Sequence, residues 1–260
     1  MDTVGVSIDG AEVTMPQPYW TSEDGRIVIY HGDCLDVLPQ LADGSVDLIL
    51  TDPPYNVSDR GAAGIGGLRR ADGTFRHIAL DFGAWDHGFD ATAFLAHCPR
   101  LLRVGGSLIS FVSEFTLPAY LQSGLDHQRL IAWEKTNPAP SFRRTYVGGF
   151  EFAVWQTKGG KWTWNEGGYR PNVFRQKGVS GWSTVNDGEA RAHPTQKPLG
   201  LIRKWMRIHS NADDLILDPF GGSMTTLRAA LDLGRRAIGI ELNEDYCRRA
   251  VERMRQAVLL

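Results

Sequence analysis

The chain has 260 residues, 42% of them in the hydrophobic set, with 28 Lys+Arg against 30 Asp+Glu, 29 Gly, 13 Pro and three Cys. This composition excludes wholesale disorder, a collagen-like repeat and a disulfide scaffold, and it supports one sizeable core without metals or crosslinks. There is no run of about 18 apolar residues, and the N-terminal MDTVGVSIDGAEV lacks the basic-then-apolar order of a signal peptide, so no membrane contact and a cytoplasmic location are expected.

In chain order, the pattern predicts a strand at 26–31 (RIVIYH), a helix near 35–42, a strand at 46–51 (VDLILT) and a helix near 91–103. Strands follow at 107–112 (SLISFV), 129–134 (RLIAWE) and 150–156 (FEFAVWQ), then a helix near 197–208. The C-terminal run is a strand at 214–218 (DLILD), a helix near 223–233, a strand at 236–241 (RAIGIE) and a helix at 243–257. Seven strands alternating with helices point to an α/β protein, a mostly parallel sheet with helices covering it. Two long segments resist regular structure, 57–73 and 159–192, and the chain reads as a single domain with an insert. Cys34, Cys98 and Cys247 form no CxxC pair and are expected to be free thiols.

Charge is polarised along the chain. Residues 1–126 carry 7 basic and 17 acidic side chains, 127–210 carry 14 and 5, and 211–260 carry 7 and 8. The basic stretch is interleaved with Phe142, Tyr146, Trp162, Trp164, Tyr169, Phe174 and Trp182, a combination able to neutralise phosphates and stack on bases. Its cations Lys135, Arg143, Arg144, Lys161, Arg170, Arg175 and Lys177, with Arg69 and Arg70 of the earlier glycine-rich segment, are candidate nucleic-acid contacts.

Three motifs carry chemistry. The strand VDLIL runs into Thr51-Asp52-Pro53-Pro54-Tyr55-Asn56, at the strand end where open α/β sheets bind ligands. The prolines stiffen the loop and leave carbonyls that no ladder uses. Asp52 and the Pro53 carbonyl can accept both hydrogens of an aromatic amine while its ring lies on Tyr55, and a carboxylate of ordinary pKa, about 3.9, suffices. The second motif, Asp218-Pro219-Phe220-Gly221-Gly222-Ser223-Met224-Thr225, joins a strand to a helix start whose N–H groups can receive a carboxylate or phosphate. Glu241 follows Gly222 by 19 residues at the end of the next strand, placed to bind ribose hydroxyls. The third, His193-Pro194-Thr195-Gln196-Lys197-Pro198, opens a helix where the Thr195 hydroxyl and Lys197 ammonium can hold the carboxylate of an amino-acid-like tail. The seven histidines show no metal-ligand spacing.

In chain order, Asp52-Pro53-Pro54-Tyr55, then His193 to Pro198, then Asp218 to Ser223, the motifs resemble the permuted β class of DNA amino-methyltransferases, over roughly residues 26–257. Gly32-Asp33-Cys34-Leu35, Trp85 and the stretch Trp133 to Pro140 add to the likeness. The resemblance implies a seven-stranded Rossmann-like methyltransferase sheet with a catalytic half (26–156), a target-recognition insert (159–192) and a half (193–257) that binds S-adenosylmethionine. It implies that Asp52, Pro53, Pro54 and Tyr55 hold a base flipped from double-stranded DNA. Asp33, Thr195, Lys197, Asp218, Phe220, Gly222, Ser223, Thr225 and Glu241 are then the expected cofactor residues, although Asp33 serves equally well as a helix N-cap. The family usually has glycine where this chain has Met224, which raises crowding of the cofactor, or loss of catalysis, as an alternative. Asp52 at the first motif position favours adenine N6 over cytosine N4. The absence of any Pro-Cys pair sets cytosine C5 chemistry aside. The resemblance makes a homodimer plausible and leaves target site and restriction partner open.

Overall fold

The computed structural model describes residues 17–56, 88–138, 148–178 and 196–256. It also describes short antiparallel strand pairs, Val6–Ile8 with Ala11–Val13, Gly67–Arg69 with Phe75–His77, and Val185–Asn186 with Glu189–Ala190. The main sheet has nine strands: β1 (Trp20–Thr21), β2 (Ile27–His31), β3 (Val46–Thr51), β4 (Leu102–Val112), β5 (Gln128–Lys135), β6 (Phe150–Thr157), β7 (Val173–Gln176), β8 (Leu215–Asp218) and β9 (Arg236–Glu241). All seven predicted strands are present. Seven was nonetheless too few, because β1 is two residues long and β7 is an edge strand of mostly polar or exposed residues, so neither has the apolar alternation that announces a strand.

The spatial order is β7-β5-β6-β4-β3-β8-β9-β2-β1. The five strands from β4 to β2 are mutually parallel, and β6 and β1 run antiparallel to their neighbours. Both C-terminal strands, β8 and β9, insert between β2 and β3. Chain order therefore reverses beside β3, and its carboxyl end and that of β8 flank a topological switch point.

The parallel strands are buried on both faces, which is why they read as continuous apolar runs. Against one face pack α4 (Leu199–His209), α5 (Thr225–Asp232) and α6 (Glu244–Arg255), around Leu48, Leu50, Ile109 and Trp205. Against the other pack α1 (Cys34–Val37), α2 (Ala91–Leu101) and α3 (Leu117–Tyr120), around Ile49, Leu108, Phe94 and Tyr120. α1 is shorter than expected because Pro39 draws the chain into a 3-10 turn, Leu38–Gln40. The three cysteines are free and buried. Among the described residues, no helix is long and apolar enough to cross a membrane.

Candidate active site

β3 ends at the buried Thr51, and the chain turns through Asp52 to Asn56 with its backbone braced from two sides. The Asn56 amide donates to the Phe89 carbonyl at 2.8 Å and accepts from the Phe89 N–H at 2.9 Å, holding Asn56 at φ +54. From β4, Ser113 Oγ donates to the Tyr55 carbonyl at 3.2 Å. The two prolines and these bonds leave the turn little freedom, and its functional groups face a common point.

Four charges and one hydroxyl meet there. Lys197 Nζ donates to Asp52 Oδ2 at 2.5 Å and lies 3.2 Å from Glu151 Oε2, while Lys135 Nζ pairs with Glu151 Oε1 at 2.6 Å. Tyr55 donates its hydroxyl to Asp52 Oδ1 at 2.9 Å. The Lys197 ammonium also stands over the rings of Tyr55 (5.3 Å) and Phe111 (4.7 Å). Burial raises the Asp52 carboxyl above its ordinary value despite the attraction of Lys197, which corrects the sequence-based expectation of an unperturbed pKa. Burial opposes the charge of Glu151 and Lys197 as well, but their partners win: Lys197 and Lys135 hold Glu151 below the usual carboxylate value, and Asp52 and then Glu151 hold Lys197 above the usual amine value. Burial, with Asp52 beside it, keeps the Tyr55 hydroxyl firmly protonated.

The second turn adjoins the first. Leu217 pairs with Ile49 in parallel register, so residues 219–224 leave the sheet beside 51–55. Thr51 Oγ1 donates to Asp218 Oδ1 at 2.6 Å across the two strand ends. Asp218 also accepts from Phe220 N–H at 3.3 Å, and burial lifts its carboxyl to about 6. Phe220 meets Phe89 and Phe94 edge-on, with centroids 5.1 and 5.2 Å apart. Gly222 donates its N–H to Glu241 Oε2 at 2.6 Å, and Glu241 Oε1 accepts from Asn243 N–H at 2.8 Å. Gly222 has φ +48 and open space where a Cβ would stand. A Cβ on Gly221 would instead strike Met224.

Met224 accounts for its own departure from glycine. It takes the left-handed conformation, φ +53, that glycine adopts most readily, and it caps α5. Its side chain turns inward, is 0% exposed and joins the core cluster around Leu227 and Ala230, filling space beneath the turn. It does not enter the open side at Gly222.

Other expected site residues fall differently. Asp33 N-caps α1, accepting from Leu35 N–H at 2.9 Å, and stands beyond β2 next to the strand that ends in Glu241. Ser223 and Thr225 bond each other at 2.9 Å, and Arg253 of α6 donates to the Ser223 carbonyl at 2.7 Å and to Thr225 Oγ1 at 3.1 Å. Lys197, expected at a cofactor carboxylate, is instead committed to Asp52 and Glu151. Pro198 is the N-cap of α4, so Lys197 precedes the helix, from where it reaches Asp52 and Glu151. Thr195 lies outside the described residues, as do His193 and Pro194.

Among the candidate DNA contacts, Arg70, Arg143, Arg144 and the side chain of Arg69 lie outside the described residues, together with Trp85 and the aromatics Phe142, Tyr146 and Trp182. β5 and β4 both run antiparallel to β6, so Lys135, at the end of β5, is on the Asp52 side of the sheet, where Glu151 engages it. Arg175 pairs with Glu134 at 2.7 Å on that side, and exposed Lys177 follows β7 there. Arg170 pairs with Glu166 and lies 4.9 Å over the Phe174 ring. The backbone of Lys161 lies against Gly105 near the start of β4, at the far end of the sheet from Asp52. Most of the described rings of the basic stretch belong to the packing: Trp162 stacks on His127 at 5.0 Å, Trp164 lies 5.6 Å from Trp155, and Phe174 meets Trp205 at 5.7 Å. Tyr169 is exposed.

Glu151 was not singled out from sequence. The available signal is one acidic residue opening the apolar run FEFAVWQ; its meeting with Lys197 depends on long-range sheet order.

The strand ends bring an aromatic–carboxylate turn beside a glycine turn at the switch point of an open Rossmann-like sheet, where such sheets bind their ligands. The family model described as DNA methylase, of the N6/N4 methyltransferases, matches residues 46–252. The type II methyltransferase M2.MboI of Moraxella bovis is 31% identical over 255 residues, covering 88% of this chain and 88% of its own. M.HinfI of Haemophilus influenzae is 31% identical over 249 residues, covering 88% of this chain and 68% of its own. The crystal structure of the M1.HpyAVI–SAM complex superposes with a TM-score of 0.62 at 28% identity, covering 88% of this chain and 99% of that one. The cytosine-N4-specific PvuII DNA methyltransferase shares the fold, with a TM-score of 0.68 at 19% identity, over 94% of this chain and 90% of that one. The chain belongs to the N6/N4 family of DNA amino-methyltransferases.

Proposed function

We propose that the protein methylates the exocyclic N6 of adenine in double-stranded DNA, with S-adenosylmethionine as donor and the base extruded into the Asp52–Tyr55 turn. One observation carries the reading: the two functional turns leave adjacent parallel strands and are tied together by the Thr51–Asp218 hydrogen bond. Adenine is favoured over cytosine by Asp52 at the first position of its motif. The chain acts as one methyltransferase domain, as a cytoplasmic modification enzyme, in keeping with relatives named type II methyltransferases.

The residues present suit the cofactor. β3, β8, β9 and β2 are consecutive neighbours, so Asp52, Phe220–Gly222, Glu241 and Asp33 line up over three strand spacings, roughly 14 Å, the scale of an extended nucleoside with an amino-acid tail. Glu241 presents a carboxylate suited to ribose hydroxyls, beside the open backbone of Gly222. When bound, the cofactor supplies a methyl group on a sulfonium. Asp52 and the Pro53 carbonyl accept the two hydrogens of the target amine, orient its lone pair and disfavour its delocalisation into the ring. No deprotonation precedes attack.

The energetics are reasonable. Flipping costs a few kcal/mol. Stacking on Tyr55 returns about 1–3 kcal/mol, and phosphate contacts add further affinity. Near-attack positioning lowers the barrier by up to roughly 7–11 kcal/mol in favourable cases. The test is nucleoside mass spectrometry of unmethylated plasmid DNA incubated with the purified protein and S-adenosylmethionine. N6-methyladenine is expected; N4-methylcytosine in its place would assign the other amine.

A further inference from the structure

In this conformation both oxygens of Asp52 have a hydrogen-bond donor: Tyr55 OH on Oδ1 at 2.9 Å and Lys197 Nζ on Oδ2 at 2.5 Å. A target amine that reaches this carboxylate therefore shares it with these donors, and at Oδ1 it competes with the Tyr55 hydroxyl. Glu151 stands behind both donors, with Oε2 3.2 Å from Lys197 Nζ and 3.5 Å from Tyr55 OH. Glu151 Oε1 is anchored by Lys135 at 2.6 Å. The charges alternate in sign from Lys135 through Glu151 and Lys197 to Asp52 and sum to zero. The Lys197 side chain is only 9% exposed, and the other three are each less than a third exposed.

We propose that Glu151 is a positioning residue for methyl transfer: it shares Lys197 with Asp52 and accepts the Tyr55 hydroxyl when the target amine takes Oδ1. The inference rests on the functional reading above and adds to it an order of events at one carboxylate. Without a second acid, the Lys197 charge would fall on Asp52 alone and weaken its hold on the incoming amine. A hydroxyl displaced from Oδ1 has a second acceptor within reach, Glu151 Oε2 at 3.5 Å. Glu151 meets both needs through Oε2, while Lys135, paired with Oε1, anchors the carboxylate.

Among the described residues, the charged and titratable groups facing Asp52 are Lys197 from the segment before α4, Glu151 from β6, Tyr55 from its own turn, Asp218 from β8 and Tyr120 from α3, with Lys135 of β5 behind Glu151. The test measures tritiated methyl transfer to unmethylated plasmid DNA as a function of pH for the full chain and for Glu151→Gln, Glu151→Asp and Lys135→Gln. Glu151→Gln gives the cluster a net positive charge, which favours ionised Asp52, so the acid limb of kcat/KM moves to lower pH. Its kcat falls on the order of 10²-fold through lost positioning. Glu151→Asp recovers part of kcat and returns the limb toward the wild-type position. Lys135→Gln makes the cluster net negative and moves the limb to higher pH, which decides the matter should Glu151→Gln fail to fold by circular dichroism. Acid limbs fixed at the wild-type pH in the folded variants overturn the proposal, because a merely structural role lowers activity without moving them. Absence of transfer by the wild-type chain overturns the functional reading and this inference with it; transfer with unmoved limbs overturns this inference alone.

Discussion

Replacing Met224 by glycine sets two effects of opposite sign against each other. The left-handed backbone at φ +53 costs a side-chain-bearing residue about 1–2 kcal/mol, which glycine regains. The methionine side chain is 0% exposed, and emptying such a site costs roughly 2–5 kcal/mol in lost burial and residual cavity. The larger effect is the cavity, so Met224→Gly should lose about 1–3 kcal/mol in urea unfolding followed by circular dichroism. The side chain points away from Gly222, so affinity for S-adenosylmethionine by isothermal titration should stay within about threefold, roughly 0.6 kcal/mol. A partner substitution sharpens the test. Gly221→Ala collides with Met224 in the wild type, whereas the next nearest atom, the Ile240 carbonyl oxygen, stands at 3.2 Å, so its cost should shrink in the double variant. Strictly additive costs, a Met224→Gly protein more stable than wild type, or a tenfold gain in cofactor affinity would each refute this placement of the side chain.

Two further predictions concern the cofactor side. The Asp218 carboxyl sits at about 6, so the folded chain binds more protons than the unfolded chain between its ordinary value of 3.8 and that point, and its contribution to stability falls as pH rises through the window. Relative to Asp218→Asn, the wild type should lose on the order of 2 kcal/mol between pH 4 and pH 7 in urea titrations; parallel profiles would contradict this. Glu241→Gln removes a charged acceptor from Gly222 N–H and from the ribose, and should weaken S-adenosylmethionine binding about 10- to 100-fold while sparing DNA affinity. Equal cofactor affinity would exclude Glu241 from the site.

The parts legible in the sequence are those that short-range pattern controls. The parallel strands are buried on both faces and show as apolar runs, and the Asp52 and Phe220 turns announce themselves by proline and glycine directly after such runs. β7 stayed hidden because an edge strand buries little, presenting Phe174 inward and Val173 and Arg175 outward. The Lys197–Asp52–Glu151 cluster was illegible for another reason: sheet order brings Asp52 to Glu151 and Lys197 across nearly a hundred residues or more. Local pattern alone points Lys197, at a helix start, toward a cofactor carboxylate. The aromatic content of the basic stretch misled in the opposite sense, since Trp162, Trp164 and Phe174 pack against other rings of the fold. A tryptophan read from composition does not say which side of the surface it lies on.

The central claim is that the Asp52 turn holds the target amine against a methyl donor bound at the neighbouring turn. Single-turnover methyl transfer by Asp52→Ala, with DNA and S-adenosylmethionine binding measured on the same preparation, tests it most directly. Lys197 keeps Glu151 as a partner in that variant, so the fold should persist. Near-normal binding of both ligands with transfer slowed by on the order of 10²–10³-fold or more is expected. Turnover close to wild type would contradict the account.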